Sequence, residues 1–191
     1  MFANLPRFQE ERQMTQNTLA KMALLVMCFS LPSRTAAALT SPTSRKTCPD
    51  FKLSDAKGAA VKLSDLKGKV VLLDFWTTYC DICKVEIPWY VEFQNKYKQG
   101  GLLVVGLSVD EDGWKAVKPF LTEQKVTYTV VLGDWDLAAR FGVTAQGGLP
   151  VTFLIDRSGK IADSHVGMVD KDGFEKEIQI LLKEPSRPIG Y

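Results

Sequence analysis

The chain has 191 residues, 46% of them apolar and 24% charged, a balance that suits one globular domain plus a leader and excludes a disordered chain. Four cysteines are too few for a disulfide-stapled scaffold. The net charge of +2 arises before residue 39, where Arg7, Arg12, Lys21 and Arg34 face only Glu10 and Glu11; the remainder is formally neutral, which removes the electrostatic case for a nucleic-acid partner.

In chain order the first element is a leader. The apolar run MALLVMCFSL (Met22 to Leu31) follows Lys21 and precedes Ala36-Ala37-Ala38. A basic residue, a short apolar stretch and a small-x-small site form the layout of a secretory signal peptide. The run is shorter than the roughly 20 residues that span a bilayer. Residues 1–38 are therefore read as a signal peptide, with an uncleaved anchor as the alternative, and the protein as exported. Met27 ahead of Cys28 does not suit lipoprotein processing. Residues 39–50, rich in Ser, Thr and Pro, are expected to be a linker, residues 51–185 the folded domain and residues 186–191 a tail.

From Phe51 two short strands surround a turn at Lys57-Gly58, and a second turn falls at Lys67-Gly68. VVLLDFW (Val70 to Trp76) is a continuous apolar run with one Asp, which predicts a buried central strand. Cys83 to Tyr97 carries Val85, Trp89, Phe93 and Tyr97 at helical spacing; Pro88 is expected to kink this helix and Gln99-Gly100-Gly101 to end it. Leu102 to Val109 predicts a second buried strand. Gly113 to Gln124 reads as a helix with Trp114, Val117, Phe120 and Leu121 on one face. Then follow a strand from Tyr128 to Leu132 and a short helix from Trp135 to Phe141. Val151 to Ile155 and Ile161 to Val166 form a hairpin around Asp156-Arg157-Ser158-Gly159, and Phe174 to Leu182 is an amphipathic helix. Strands alternating with helices predict an α/β fold in one domain. Its mostly parallel sheet is made mixed by the last hairpin, with helices on both faces.

The chemistry gathers in DFWTTYCDICKVEIP (residues 74–88), where Cys80 and Cys83 stand three apart. Such a pair can bind metal, close a structural disulfide or carry electrons. A closed zinc site takes four ligands, and the mature chain adds only Cys48 and the single His165, so no metal is expected. A structural disulfide over so short a loop stabilises little. A redox couple fits better. A helix starting near Cys80 would expose that sulfur at a helix N-terminus, where the thiolate is favoured. Cys83, one turn in and more buried, would resolve the mixed disulfide that Cys80 forms.

Asp74, inside the apolar run, is expected to have a raised pKa and to accept the Cys83 proton; the alternative is a strand-end Asp bonded to backbone. Glu86, one turn beyond Cys83, either tunes the pair or is a solvated carboxylate paired with Lys84 or Lys96. Asp81 would oppose thiolate formation at Cys80. Leu149 would lend backbone groups to an incoming peptide, and Pro150 opens the strand that follows. Trp76 is expected to pack beside the site, and His165 to lie on an edge strand.

Taken together, PDFKLSD (49–55), VKLSDLKGKVVLLDFWTTYCDICKVEIP (61–88), VVGLSVDED (104–112), ARFGVTAQGGLPVTFLIDRSGKI (139–161) and HVG (165–167) resemble the thioredoxin superfamily. The nearer match is to the TlpA/ResA-like thiol–disulfide oxidoreductases, in the wider set that includes the peroxiredoxins. The resemblance implies a thioredoxin-like fold with an N-terminal β-hairpin and an inserted strand and helix over residues 104–132. It also implies an attacking Cys80 and a resolving Cys83 joined as a Cys80–Cys83 redox disulfide, with no other cofactor, and a cis Pro150 facing them. Glu86 matches the acidic residue of the ResA-like helix, and Asp74 the buried Asp of thioredoxin. Trp76, Tyr79, Asp81, Ile82, Leu149 and Pro150 are implied to line the substrate surface.

The family is commonly exported or membrane-tethered, facing the periplasm or the outer membrane face. Members keep apocytochrome c or other protein thiols reduced, fed by a membrane thiol electron donor. A monomer that reduces protein disulfides is the expectation. Departures from the family pattern are Ile82 for Pro, Tyr79 for Trp and Cys48 for Ala, the last being read as a packed free thiol or a third redox thiol. Two other functions compete. A thiol peroxidase would use the Thr77-x-x-Cys80 spacing, although Leu73 and Asp74 stand where its Pro would fall. A non-enzymatic module would bind metal or haem through the reduced cysteines.

Overall fold

The computed structural model describes residues 39–185. The signal peptide or anchor expected over residues 1–38 and the tail over 186–191 lie outside the described residues. Among the described residues, no helix is long and apolar enough to cross a membrane.

The strands are β1 (Lys46–Thr47), β2 (Lys52–Ser54), β3 (Ala60–Lys62), β4 (Val70–Trp76), β5 (Leu102–Ser108), β6 (Thr129–Leu132), β7 (Val151–Ile155) and β8 (Lys160–Val166). The helices are α1 (Asp81–Tyr97), α2 (Trp114–Glu123), α3 (Trp135–Arg140) and α4 (Lys171–Lys183). Six strands form one sheet in the order β1-β8-β7-β4-β5-β6, and β2-β3 is a separate hairpin. Only β4–β5 and β5–β6 are parallel; β7 runs antiparallel to both β4 and β8, and β1 antiparallel to β8. The sheet is mixed, as expected, but not mostly parallel. Apolar runs mark where strands lie and leave their direction open, and the chain enters β7 beside β4 in the reverse sense.

All seven residues of β4 are buried, and their period-two alternation divides the core. Val70, Leu72 and Trp76 pack with Ile87, Tyr90 and Phe93 of α1, Val117 and Phe120 of α2, and Phe174 and Ile178 of α4. Val71, Leu73 and Phe75 pack on the other face with Phe51, Leu63, Leu137 and Phe141. Full burial of each such side chain is worth about 1.5–3 kcal/mol. Trp76 stacks on Phe120 with ring centroids 5.1 Å apart. It fits because Gly106 of β5 lies beneath it: a Cβ there would fall 2.9 Å from Trp76 Nε1 and 3.1 Å from Tyr128 Cε2.

One expectation differs in detail. The stripe Val85-Trp89-Phe93-Tyr97 is not the buried face of α1. That face is Cys83, Glu86, Ile87, Tyr90 and Phe93, and Val85 is 48% exposed. Counting apolar residues alone discounts Glu86 and Tyr90, whose polar atoms bond to one another inside the core. Pro88 lies within the helix without ending it.

The linker expected over residues 39–50 is instead built into the fold. β1 pairs with β8, and the Thr40 N–H donates to the Ala162 carbonyl. Arg45, 5% exposed, ties this segment down. Its Nη1 lies 3.0 Å from Asp156, its Nη2 2.6 Å from Glu184 and its Nε 2.9 Å from the Thr40 carbonyl. The hydrogen bond to Glu184 chiefly holds the guanidinium pKa above its usual value, against the cost of burial. Polar composition suggests a linker only until its polar groups find partners.

Candidate active site

The loop between β4 and α1 is fixed by a residue that sequence reasoning missed. Asp110 follows β5 and is 6% exposed. It accepts the Thr78 N–H at 3.0 and 3.1 Å, the Thr78 hydroxyl at 2.6 Å and the Ser108 hydroxyl at 2.7 Å. Because β4 and β5 are parallel, their C-terminal ends reach the same sheet edge, and Asp110 clamps the approach to Cys80 there. The available signal was an Asp two residues past a Ser at the end of a buried strand.

Cys80 is the N-cap of α1, with extended backbone, and its sulfur accepts the Cys83 N–H at 3.2 Å. Cys80 is half-buried and Cys83 is 1% exposed; the two are joined as a disulfide. After reduction, the unpaired amides of the first helical turn would favour the thiolate at Cys80. The expected opposition from Asp81 is offset: Asp81 is exposed and lies 2.8 Å from Lys84 Nζ, a hydrogen bond that holds its pKa below the usual value.

The rim is apolar. Tyr79 is 67% exposed, Ile82 41% and Met168 57%. The Leu149–Pro150 peptide is cis. Phe75 pairs with Val151, so Pro150, one step further, stands opposite the exit of β4 toward Cys80. Pro150 is buried and its carbonyl accepts the Gly167 N–H at 2.9 Å, which leaves half-buried Leu149 as the more open residue of the pair. Trp76 is wholly buried. The expectation that it lines the substrate surface is corrected: it supports the site from beneath, because position 76 points to the α1 and α2 side of the sheet.

Both candidate carboxylates lie in the core. Asp74 is 1% exposed and Glu86 is fully buried. The Thr152 hydroxyl lies 3.3 Å from Asp74 Oδ1 and 3.1 Å from the Tyr90 hydroxyl. The Tyr90 hydroxyl lies 3.0 Å from Glu86 Oε2, and Glu86 Oε1 accepts the Val169 N–H at 2.7 Å. Burial, then the charge of Glu86, pushes the Asp74 pKa well above the carboxylate range. Burial also raises Glu86, against the opposing effect of the Val169 and Tyr90 donors. Glu86 is therefore not a solvated helix-face group; Lys84 pairs with Asp81, and Lys96 with Glu175.

Two residues stand apart from the disulfide. Cys48 belongs to the cluster on the opposite sheet face from Cys83; it is a free buried thiol, and burial pushes its pKa up to about 12. His165 of β8 lies 2.9 Å from Glu177 and 3.7 Å from Asp163. The Glu177 hydrogen bond chiefly raises the imidazole pKa.

Comparison with known proteins bears on this site. The AhpC/TSA family model matches residues 45–164. The chain is 36% identical over 135 residues to the thiol-disulfide oxidoreductase ResA of Bacillus cereus, which spans 70% of this chain and 76% of that protein. It is 28% identical over 171 residues to ResA of Geobacillus kaustophilus, spanning 90% of this chain and 97% of that one. A thiol:disulfide interchange protein of the thioredoxin family from Chlorobium tepidum matches in structure with a TM-score of 0.65 and 28% identity, over 72% of this chain and 97% of that one.

Proposed function

The chain belongs to the AhpC/TSA family and is a ResA-like thiol–disulfide oxidoreductase of thioredoxin-like fold; we propose that it uses Cys80 and Cys83 to reduce protein disulfides outside the cytoplasm. The observation that carries this reading is the unequal placement of the two sulfurs: Cys80 half-buried at a helix N-terminus, Cys83 sealed beneath it. In the reduced protein the Cys80 thiolate attacks a substrate disulfide. One substrate sulfur leaves with the electron pair and takes a proton, and a mixed disulfide forms on Cys80. Cys83 then loses its proton, with Asp74 as the base, and attacks the Cys80 sulfur. The second substrate thiol departs, and two electrons have passed to the substrate.

The apolar rim of Tyr79, Ile82 and Leu149 suits an extended polypeptide substrate. Apocytochrome c thiols are the substrate class that the family resemblance suggests. A membrane thiol donor would restore the dithiol, and the leader composition supports export.

Cys83→Ser tests the exchange. Lacking its resolving thiol, the variant should accumulate mixed disulfides on Cys80 that reductant releases. Failure to trap any thiol protein, with peroxide consumption surviving the substitution, would reject the reading in favour of a peroxidase.

A further inference from the structure

Three oxygen–oxygen contacts run in series through the core: Asp74 to Thr152 at 3.3 Å, Thr152 to Tyr90 at 3.1 Å, and Tyr90 to Glu86 at 3.0 Å. Each hydroxyl brings one hydrogen, and an ionised carboxylate brings none. With both carboxylates ionised, two hydrogens must serve three contacts, and one oxygen pair is left facing without a proton. With one carboxyl protonated, all three contacts are filled. Two arrangements do this: Asp74 donates to Thr152, Thr152 to Tyr90 and Tyr90 to ionised Glu86, or the whole series runs in reverse. They differ by a shift of three hydrogens and by no movement of heavy atoms.

We propose that Asp74, Thr152, Tyr90 and Glu86 hold one proton in common and pass it between the two carboxylates, so that Tyr90 and Thr152 are positioning residues of the redox site. The ends are not equal. Glu86 has a further donor in the Val169 N–H, whereas Asp74 Oδ2 has no partner. The proton is weighted toward Asp74, and both carboxyls carry a fraction of it. The raised pKa values of both groups accord with this. The neighbouring titratable groups are Tyr128 ahead of β6, His165 and Asp163 on β8, and Glu177 on α4; Cys80 and Cys83 at the start of α1 are joined as the disulfide and join them only when reduced. Of these, Tyr128 is raised in part by the Asp74 charge, and the His165 charge favours ionised Glu86.

This deepens the proposed function and rests on it for its purpose. When the hydrogens shift toward Glu86, Asp74 is ionised and can take the Cys83 proton. The proton that leaves Cys83 is then held on Asp74, and the one that left Asp74 is held on Glu86.

Carbon-13 NMR of the side-chain carboxyls in the disulfide form reads the chain of groups without turnover. In the wild type, Asp74 and Glu86 should each respond in both of two titration steps, as sites sharing a proton do. In Tyr90→Phe and in Thr152→Val, with the fold verified by circular dichroism, each carboxyl should respond in one step only. A wild type in which each carboxyl responds in a single step overturns the proposal. So does two-step behaviour that persists in Thr152→Val, because that variant keeps both carboxyls and loses only the hydroxyl, and the coupling would then act through space. No substrate is present, so the result is independent of the Cys83→Ser trapping.

Discussion

The Cys83 backbone N–H points at the Cys80 sulfur across 3.2 Å. This places the Cys80 sulfur at the positive end of α1, while the Cys83 side chain stays in the core. One turn of helix thus makes two chemically identical thiols unequal.

The surface charges around that sulfur offset one another. Lys84 holds Asp81 at 2.8 Å, so Asp81→Asn, which unmasks the Lys84 cation, should speed the alkylation of reduced Cys80 at neutral pH by about twofold. Lys84→Ala should slow it by about two- to fivefold, since it removes a cation and unmasks Asp81. Competition alkylation with mass analysis reads both, and faster alkylation of Lys84→Ala would contradict the geometry.

Asp74 ties stability to pH. Its folded pKa lies above its unfolded value because the carboxyl is buried, so the native state binds the proton more tightly. Its contribution is fully present below the ordinary carboxylate pKa and declines as pH rises through the elevated folded pKa, by up to about 1.4 kcal/mol per pH unit. Asp74→Asn should remove that decline. Urea unfolding at pH 5 and pH 9 should show the variant's advantage larger at pH 9; an equal difference at both would sink this.

Arg45 anchors the N-terminal segment to Asp156 and Glu184. Arg45→Ala leaves a buried carboxylate without its cation and should cost about 3 kcal/mol in urea unfolding. A loss below about 0.5 kcal/mol, typical of exposed pairs, would mean that the segment is held by β1 alone.

Gly106 is required by Trp76 rather than by backbone conformation. Gly106→Ala forces a Cβ to within 2.9 Å of Trp76 Nε1 and should cost about 1–3 kcal/mol through overpacking, with altered near-ultraviolet circular dichroism. An unchanged spectrum and melting temperature would contradict that contact.

Cys48 should resist iodoacetamide at pH 8 in the folded protein, since burial pushes its thiol up to about 12, and should react once urea unfolds the chain. Alkylation of the native protein at the rate of a free thiol would show that the site opens.

Much of the fold was legible. Val70 to Trp76 is strand from end to end, because a run of that length and β-branching has one stable use in an α/β core. The inequality of Cys80 and Cys83 followed from a helix start, which is a local property. Less local features escaped. The buried face of α1 was misplaced because Glu86 and Tyr90 look like surface residues until their hydrogen bonds are known. Arg45 looked like linker because its partners lie 111 and 139 residues away. Asp110 reads as an ordinary loop carboxylate until β5 is seen beside β4.

By itself, then, the sequence determined the order of elements, the alternation that divides the core, and the placement of one thiol at a helix tip with its partner a turn inside. These depend on periodicities and on neighbours in the chain. Only the tertiary structure decided which polar groups meet inside the core. Thr152 reaches Tyr90 across 62 residues and Asp74 across 78, and the Val169 amide reaches Glu86 across 83. A hydrogen bond depends on distances of about 3 Å, and no spacing along the chain encodes such a distance between elements that far apart.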